Sequence, residues 1–207
     1  SIHINRAQKK NDSSGRSSRK LVLELDESLK IQRRIIYSQR NEILSDQFKE
    51  FDLENLMNSH LDVMEETLLA MNDNEFSRYI YDHISYQKQE ENGIKNRREI
   101  MMRLFKEEIE TKKKILIYPE YFLEFQRKAI LKAIDTQWIE QVDYLQQLKA
   151  IISSRHIDQN RMVQQYNQEA FDAFENMKKR VLENVIQNLM LSTVSLDKGF
   201  NMNIHFV

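Results

Sequence analysis

Hydrophobic side chains recur at steps of three and four between Pro119 and Leu191, a spacing that places them on one face of an α-helix. Two such stripes are separated by the polar stretch 153–161, so the pattern predicts two long antiparallel helices joined by a short connection. Pro119 suits the first helical position, where its missing N–H leaves no hydrogen bond unmade. The first stripe contains Phe122, Phe125, Ala129, Trp138, Val142, Leu145, Leu148 and Ile152, and the second contains Val163, Tyr166, Ala170, Phe174, Met177, Val181, Val185 and Leu189.

The chain before Pro119 shows the same periodicity and predicts four further helices. A long one covers residues 19–51, after a break in the stretch 13–18 that holds serines and a glycine, and the second covers 53–71. Asp52 is expected to cap the second helix, and Asn72 with Glu75 three residues later is typical of a capping box that opens the third. Asn92 and Gly93 are expected to end the third helix, and the fourth covers 94–115.

The two ends of the chain alternate between apolar and polar residues, which is typical of strands. Met202, Ile204 and Phe206 alternate near the C-terminus, and Ile2 and Ile4 alternate at the start. Either these two strands pair with each other, or both belong to sheets outside this sequence. The first residue is Ser rather than Met, so we expect a fragment or a processed product.

Composition supports an all-α, soluble, intracellular protein without catalytic chemistry of its own. Only three glycines and one proline occur, too few for a many-stranded fold, and there is no cysteine for a disulfide or the usual structural zinc site. The net charge of −1 gives no electrostatic basis for binding nucleic acid. The five histidines lack metal-ligand spacing, and His60 is expected to be a simply hydrogen-bonded residue. No phosphate-binding loop is present, so we expect no metal and no cofactor in this segment.

Two spaced motifs resemble the SecA family of protein-export motors. The first consists of AQKK at 7–10, RK at 19–20 and ELDESLKIQRRIIYSQRNEIL at 24–44, and it resembles the passage from the second ATPase domain into the long helix of the scaffold. The second covers residues 131–177 and resembles the two-helix finger. Matching positions in this second motif are Asp135, Trp138, Glu140, Leu148, Arg155, Gln159, Tyr166, Glu169, Phe171 and Phe174.

The resemblance implies a division of the chain into five parts. Residues 1–18 are the end of the preceding motor domain or a linker, 19–51 the scaffold helix, 52–118 the helical wing, 119–191 the finger and 192–207 a strand-like tail. The middle third matches no motif, so its assignment to the wing follows from its position alone. Ile151, Ile157 and Met162 stand where the family usually has Gly, Tyr and Pro. The loss of the tip aromatic, together with QVD at 141–143 and LK at 148–149, resembles the accessory type of SecA.

By the same resemblance, the parent protein binds ATP and Mg²⁺ in its ATPase domains and pushes unfolded preproteins through a SecY-type channel at the cytoplasmic face of the membrane. The segment would couple these motions to the polypeptide, with the preprotein, the channel and the ATPase domains as partners, and homodimerisation is left open. The implied fingertip contacts are Arg155, His156, Ile157 and Gln159, and the implied structural residues are Trp138, Tyr166 and Phe171.

A different class of function remains compatible with the residues themselves. A free-standing helical adaptor that binds a partner helix would show the same apolar stripes and the same balanced charge. An enzyme ranks third, since it would need a metal or cofactor site that the sequence does not show.

Overall fold

The computed structural model describes residues 2–45, 48–49, 51–86, 96–155 and 158–207, with side chains from residue 22 onwards. Over these residues the chain is all-α apart from a short C-terminal hairpin, which confirms the predicted fold class. The helices are α1 (Ile2–Leu44), α2 (Leu53–Ala70), α3 (Asp73–His83), α4 (Arg97–Leu116), α5 (Pro119–Ser153) and α6 (Gln159–Leu191), and the strands are β1 (Thr193–Leu196) and β2 (Met202–His205).

Helix α1 differs from the prediction at both ends. It begins at Ile2, so the expected break in the stretch 13–18 and the expected strand at the start of the chain are both wrong. The single glycine there costs a helix only about 1 kcal/mol relative to alanine, too little to end it without a proline. The helix ends at Leu44 rather than at residue 51, because Ser45 turns back and donates both its backbone N–H and its hydroxyl to the Glu42 carbonyl.

The caps of α2 and α3 are confirmed. The Asp52 carboxylate accepts a hydrogen bond from the Asn55 N–H at 2.9 Å, and Asn72 and Glu75 form the reciprocal capping box. Helix α3 nevertheless ends at His83, before the predicted stop, because the N–H groups of Ile84 and Ser85 both turn back to one carbonyl, that of Ile80. The expected stop at Asn92 and Gly93 lies outside the described residues.

The C-terminal strand pairs with a neighbouring strand that was not predicted from the sequence. Strands β1 and β2 form an antiparallel hairpin in which Val194 lies opposite Ile204. The tail therefore pairs with itself, not with the start of the chain. Asp197 closes the turn, since its carboxylate accepts the backbone N–H groups of Gly199 and Asn201, each at 2.8 Å.

The chain divides into two compact units whose boundaries fall within α1, α5 and α6. One unit comprises residues 1–39 and 136–178 and is called the finger unit, because it holds the middle of the predicted finger. The other comprises 40–135 and 179–207 and is called the wing unit, because it holds the whole predicted wing. The predicted five-part division remains a prediction. Buried apolar side chains that form the wing unit's core include Met57, Leu61, Phe76, Ile80, Met101, Phe105, Phe125 and Leu189.

Polar side chains bind the last part of α6 to its neighbours in the wing unit. Asn188 donates to the Ala129 carbonyl of α5 at 3.0 Å, and the buried Lys112 of α4 donates to the Met190 carbonyl at 2.9 Å. Gln187 donates to the Asp82 carbonyl at the end of α3 at 3.2 Å. Helix α6 is thus hydrogen-bonded to α3, α4 and α5.

Candidate functional site

Within the finger unit, α5 and α6 pack on the middle of α1 as an apolar three-helix core. The stripes predicted for the two finger helices supply most of it, and α1 contributes one fully buried leucine and one at the edge. The members are Leu25, Leu145, Leu148, Ile152, Met162, Tyr166 and Ala170, with Leu29 and Val163 at the periphery. The two finger helices are therefore held by α1 as well as by each other.

A chain of buried amide hydrogen bonds crosses this core. Gln141 of α5 donates from Nε2 to the Oε1 of Gln32 on α1 at 3.0 Å, and Gln32 donates from its own Nε2 to the Ala170 carbonyl of α6 at 2.9 Å. Both glutamine side chains are buried. Because a buried polar group is costly when it lacks a partner, this relay favours one alignment of the three helices.

Charged and hydroxyl groups link the same helices nearer the fingertip. Lys149 of α5 lies 2.6 Å from the Asp26 carboxylate of α1, and the Ser28 hydroxyl donates to Asn167 of α6 at 2.7 Å. Burial, with the negative charge of Asp26 adding to it, raises the pKa of the Tyr166 phenol to about 12. Tyr166 therefore stays neutral at physiological pH, as a residue inside an apolar core must.

The structure describes two of the four residues expected at the fingertip. Arg155 follows the end of α5, with its guanidinium 4.0 Å from the Glu169 carboxylate, and Gln159 is the first residue of α6. His156 and Ile157 lie outside the described residues. Asp158, which the sequence reading passed over, accepts the Asn160 N–H at 3.1 Å and so helps to start α6.

The three residues expected to be structural differ in their exposure. Tyr166 is buried in the finger core, and Trp138 retains 9% of its accessible surface. Phe171, by contrast, is 58% exposed, because Ala170 and Phe174 carry the buried face of α6 at that level. Packing within the finger unit therefore gives no reason for an aromatic residue at position 171.

An ion pair joins α1 to α5 in the wing unit, and the sequence reading did not anticipate it. The Arg40 guanidinium makes two hydrogen bonds to the Asp135 carboxylate, from Nε at 2.9 Å and from a terminal nitrogen at 3.2 Å. Arg40 belongs to the first motif and Asp135 to the second. The motifs thus contained both partners, although nothing in the sequence shows that the two meet.

The part of the chain that the structure describes holds no cluster of side chains suited to bind a metal ion. Among these residues, no three His, Asp or Glu side chains come together as metal ligands. None of the described helices combines the length and the apolar character that crossing a bilayer requires. The candidates for a functional site are therefore the finger, the contacts that link it to α1, and the wing unit.

Comparison with known proteins gives one consistent family. Residues 1–193 match the family model described as the SecA wing and scaffold domain. Relatives named protein translocase subunit SecA 2 are 33% identical in Streptococcus gordonii, over 98% of this chain, and 34% identical in Streptococcus agalactiae, over 97%. A relative of the same name from Staphylococcus haemolyticus is 31% identical over 98% of the chain. The chain covers 26% of each of these relatives, about a quarter of their length.

Proposed function

Because this chain belongs to the SecA family, we propose that it is the scaffold, wing and finger part of an accessory-type protein translocase motor. It couples ATP-driven motions of other domains to the movement of unfolded polypeptide through a SecY-type channel, as a peripheral protein at the cytoplasmic face of the membrane. ATP and Mg²⁺ would bind to domains beyond this quarter of the motor. The observation that carries the proposal is the family match over residues 1–193.

The geometry of the finger unit supports a coupling role. The amide relay through Gln32 and the pair between Asp26 and Lys149 tie both finger helices to α1 at separate points along its length. A displacement of α1 is then passed to the finger through hydrogen bonds and a packed core, which resist deformation. A free-standing adaptor has no need for such transmission, so the motor is the function that the geometry supports better.

A chimera tests this proposal directly. The matched quarter of SecA 2 from Streptococcus gordonii is replaced by this chain, and the chimera is expressed in cells that lack their own SecA 2. We expect export of the accessory substrate to be restored. Gln32→Ala in the chimera should reduce export about fivefold or more while ATP hydrolysis continues, because a loss of roughly 1–3 kcal/mol in the buried relay weakens the link to the finger.

The matched control is Lys30→Ala, which removes an exposed ion pair with Glu27 on the same helix and should leave export unchanged. A folded chimera that hydrolyses ATP but exports nothing would contradict the coupling role. Binding of a separate helical protein by such an inactive chimera would favour the adaptor instead.

We also propose that the fingertip residues Arg155, His156, Ile157 and Gln159 contact the moving polypeptide or the channel. The support is that Arg155 follows the end of α5 and that Gln159 is the first residue of α6, together with the family resemblance. An uncharged residue at the fingertip can contact polypeptides of many different sequences, because contact with an apolar side chain does not require a particular sequence.

The fingertip contact is tested at position 157 in the same chimera. Ile157→Asp should reduce export several-fold with ATP hydrolysis retained, and Ile157→Tyr should preserve export, because an aromatic residue keeps the apolar contact. A photo-crosslinker at position 157 should capture a stalled preprotein or the channel. The control crosslinker replaces Leu69, an exposed residue of α2 in the wing unit. Capture from position 69 but not from 157 would show that the finger is not the contact.

A further inference from the structure

The end of α3 meets α6 in the wing unit at a histidine and a glutamate. The Nε2 of His83 lies 3.8 Å from the Glu183 carboxylate, an ion-pair distance that is too long for a direct hydrogen bond. Beside it, Gln187 donates to the Asp82 carbonyl at 3.2 Å. The histidine side chain is 29% exposed and the glutamate side chain 36%, so both are accessible to solvent protons.

The hydrogen bond at the other ring nitrogen determines what Nε2 can present to Glu183. The Nδ1 of His83 lies 3.1 Å from the Tyr79 carbonyl, and a carbonyl oxygen can only accept, so Nδ1 carries a hydrogen. In the neutral ring, Nε2 then has a lone pair, which faces the negative carboxylate unfavourably. In the protonated ring, Nε2 carries a second N–H and the contact becomes an attraction between opposite charges.

The other titratable groups around His83 do not compete with Glu183. The His83 ring stacks on Tyr79 with 4.3 Å between centroids, and the Tyr79 hydroxyl lies 3.0 Å from Nε2 of His60 on α2. Burial, and secondarily the charge of His83, lowers the pKa of His60 to about 4, so His60 stays neutral where an ordinary histidine titrates. Burial likewise raises the pKa of Tyr79, which keeps its proton. Asp82 pairs with Arg78 at 3.5 Å.

We propose that His83 and Glu183 form an ion pair between α3 and α6 that depends on protonation of His83. This pair is called the latch. Protonation of His83 closes the latch, and deprotonation releases it. The Gln187 hydrogen bond remains in both states, so the latch changes how firmly α3 is held and does not detach it. Glu183 lies in the part of α6 that belongs to the wing unit, so the latch regulates how tightly α3 is held to that part of α6.

Two measurements on the 207-residue chain test the latch. Nitrogen-15 NMR at pH 8 should find the neutral His83 ring with its hydrogen on Nδ1. Amide exchange, corrected for its intrinsic pH dependence, should slow at Ile84 and Ser85 by about two- to fivefold between pH 8 and pH 5.5, the size expected of a partly exposed ion pair. These two amides report on the end of α3, since both donate to the Ile80 carbonyl.

Glu183→Gln keeps the shape of the side chain and removes its charge, so exchange at Ile84 and Ser85 should no longer slow between pH 8 and pH 5.5 in this variant. Glu175→Gln is the matched control on the same helix, because Glu175 pairs with Lys178 and not with a histidine. The proposal is overturned if the neutral ring carries its hydrogen on Nε2. It is equally overturned if exchange at Ile84 and Ser85 depends on pH in the same way in Glu183→Gln as in the unaltered chain.

Discussion

Truncation of Trp138 to alanine is expected to lower the free energy of unfolding by about 3–5 kcal/mol, the usual cost of removing a large buried aromatic side chain. Trp138 retains only 9% of its accessible surface, and the residues around a lost indole cannot close the space completely. Urea denaturation followed by circular dichroism measures the change. The shape of the unfolding curve should be kept, with its midpoint moved to lower urea.

The adjacent residue supplies the control for this measurement. Ile139 is 64% exposed, so Ile139→Ala should change the free energy of unfolding by no more than about 0.5 kcal/mol. Equal effects at positions 138 and 139 would contradict the placement of Trp138. So would a fluorescence maximum of the folded chain that is typical of indole in water.

Acid is expected to destabilise the chain through His60. The folded state binds a proton at His60 only near pH 4, whereas the unfolded chain binds one near the ordinary value of 6.5. Between these values the unfolded state holds more protons, so stability falls as the pH falls. A difference of about 2.5 pH units corresponds to roughly 3 kcal/mol, which is present above pH 6.5 and lost by pH 4.

The contribution of His60 is isolated by comparing variants across pH 4 to 7. His60→Gln keeps a hydrogen-bonding group near Tyr79 but cannot titrate, so its stability should fall less steeply with acid than that of the unaltered chain. His205→Gln, at an exposed position of β2, should follow the unaltered chain. If the stability of His60→Gln falls with acid as steeply as that of the unaltered chain, then His60 is not buried in its neutral form.

Local patterns predicted most of the helices, because each depends on residues close together in the sequence. The apolar stripes of α5 and α6 and the caps at Asp52 and Asn72 involve spacings of three or four residues, and the structure has them as predicted. The predictions were wrong where the sequence signal for a helix end was weak, or where the pairing partner of a strand had to be identified. A glycine in the stretch 13–18 did not end α1, and β2 was identified without its partner β1.

The hydrogen bonds that cross the core of the finger unit join residues far apart in the sequence. Gln32 and Gln141 are 109 residues apart, and Gln32 and Ala170 are 138 apart, so no periodicity within one helix connects them. One clue was present in the sequence, since Gln32 interrupts the apolar row formed by Leu25, Leu29 and Ile36. A polar residue on such a row needs a buried partner. A single sequence does not identify that partner.

The amide relay also limits how a motor could use this finger. If one of the three helices slid past the others by a single turn, about 5.4 Å, the glutamine side chains would lose their partners while still buried. Each unpaired amide would cost roughly 1–3 kcal/mol, so sliding meets a barrier at the first step. The three helices of the finger unit are therefore suited to move together, with a fixed alignment to one another. Under the proposed motor function, the distance that a polypeptide advances in one stroke would then depend on how far this fixed three-helix unit moves and on its length.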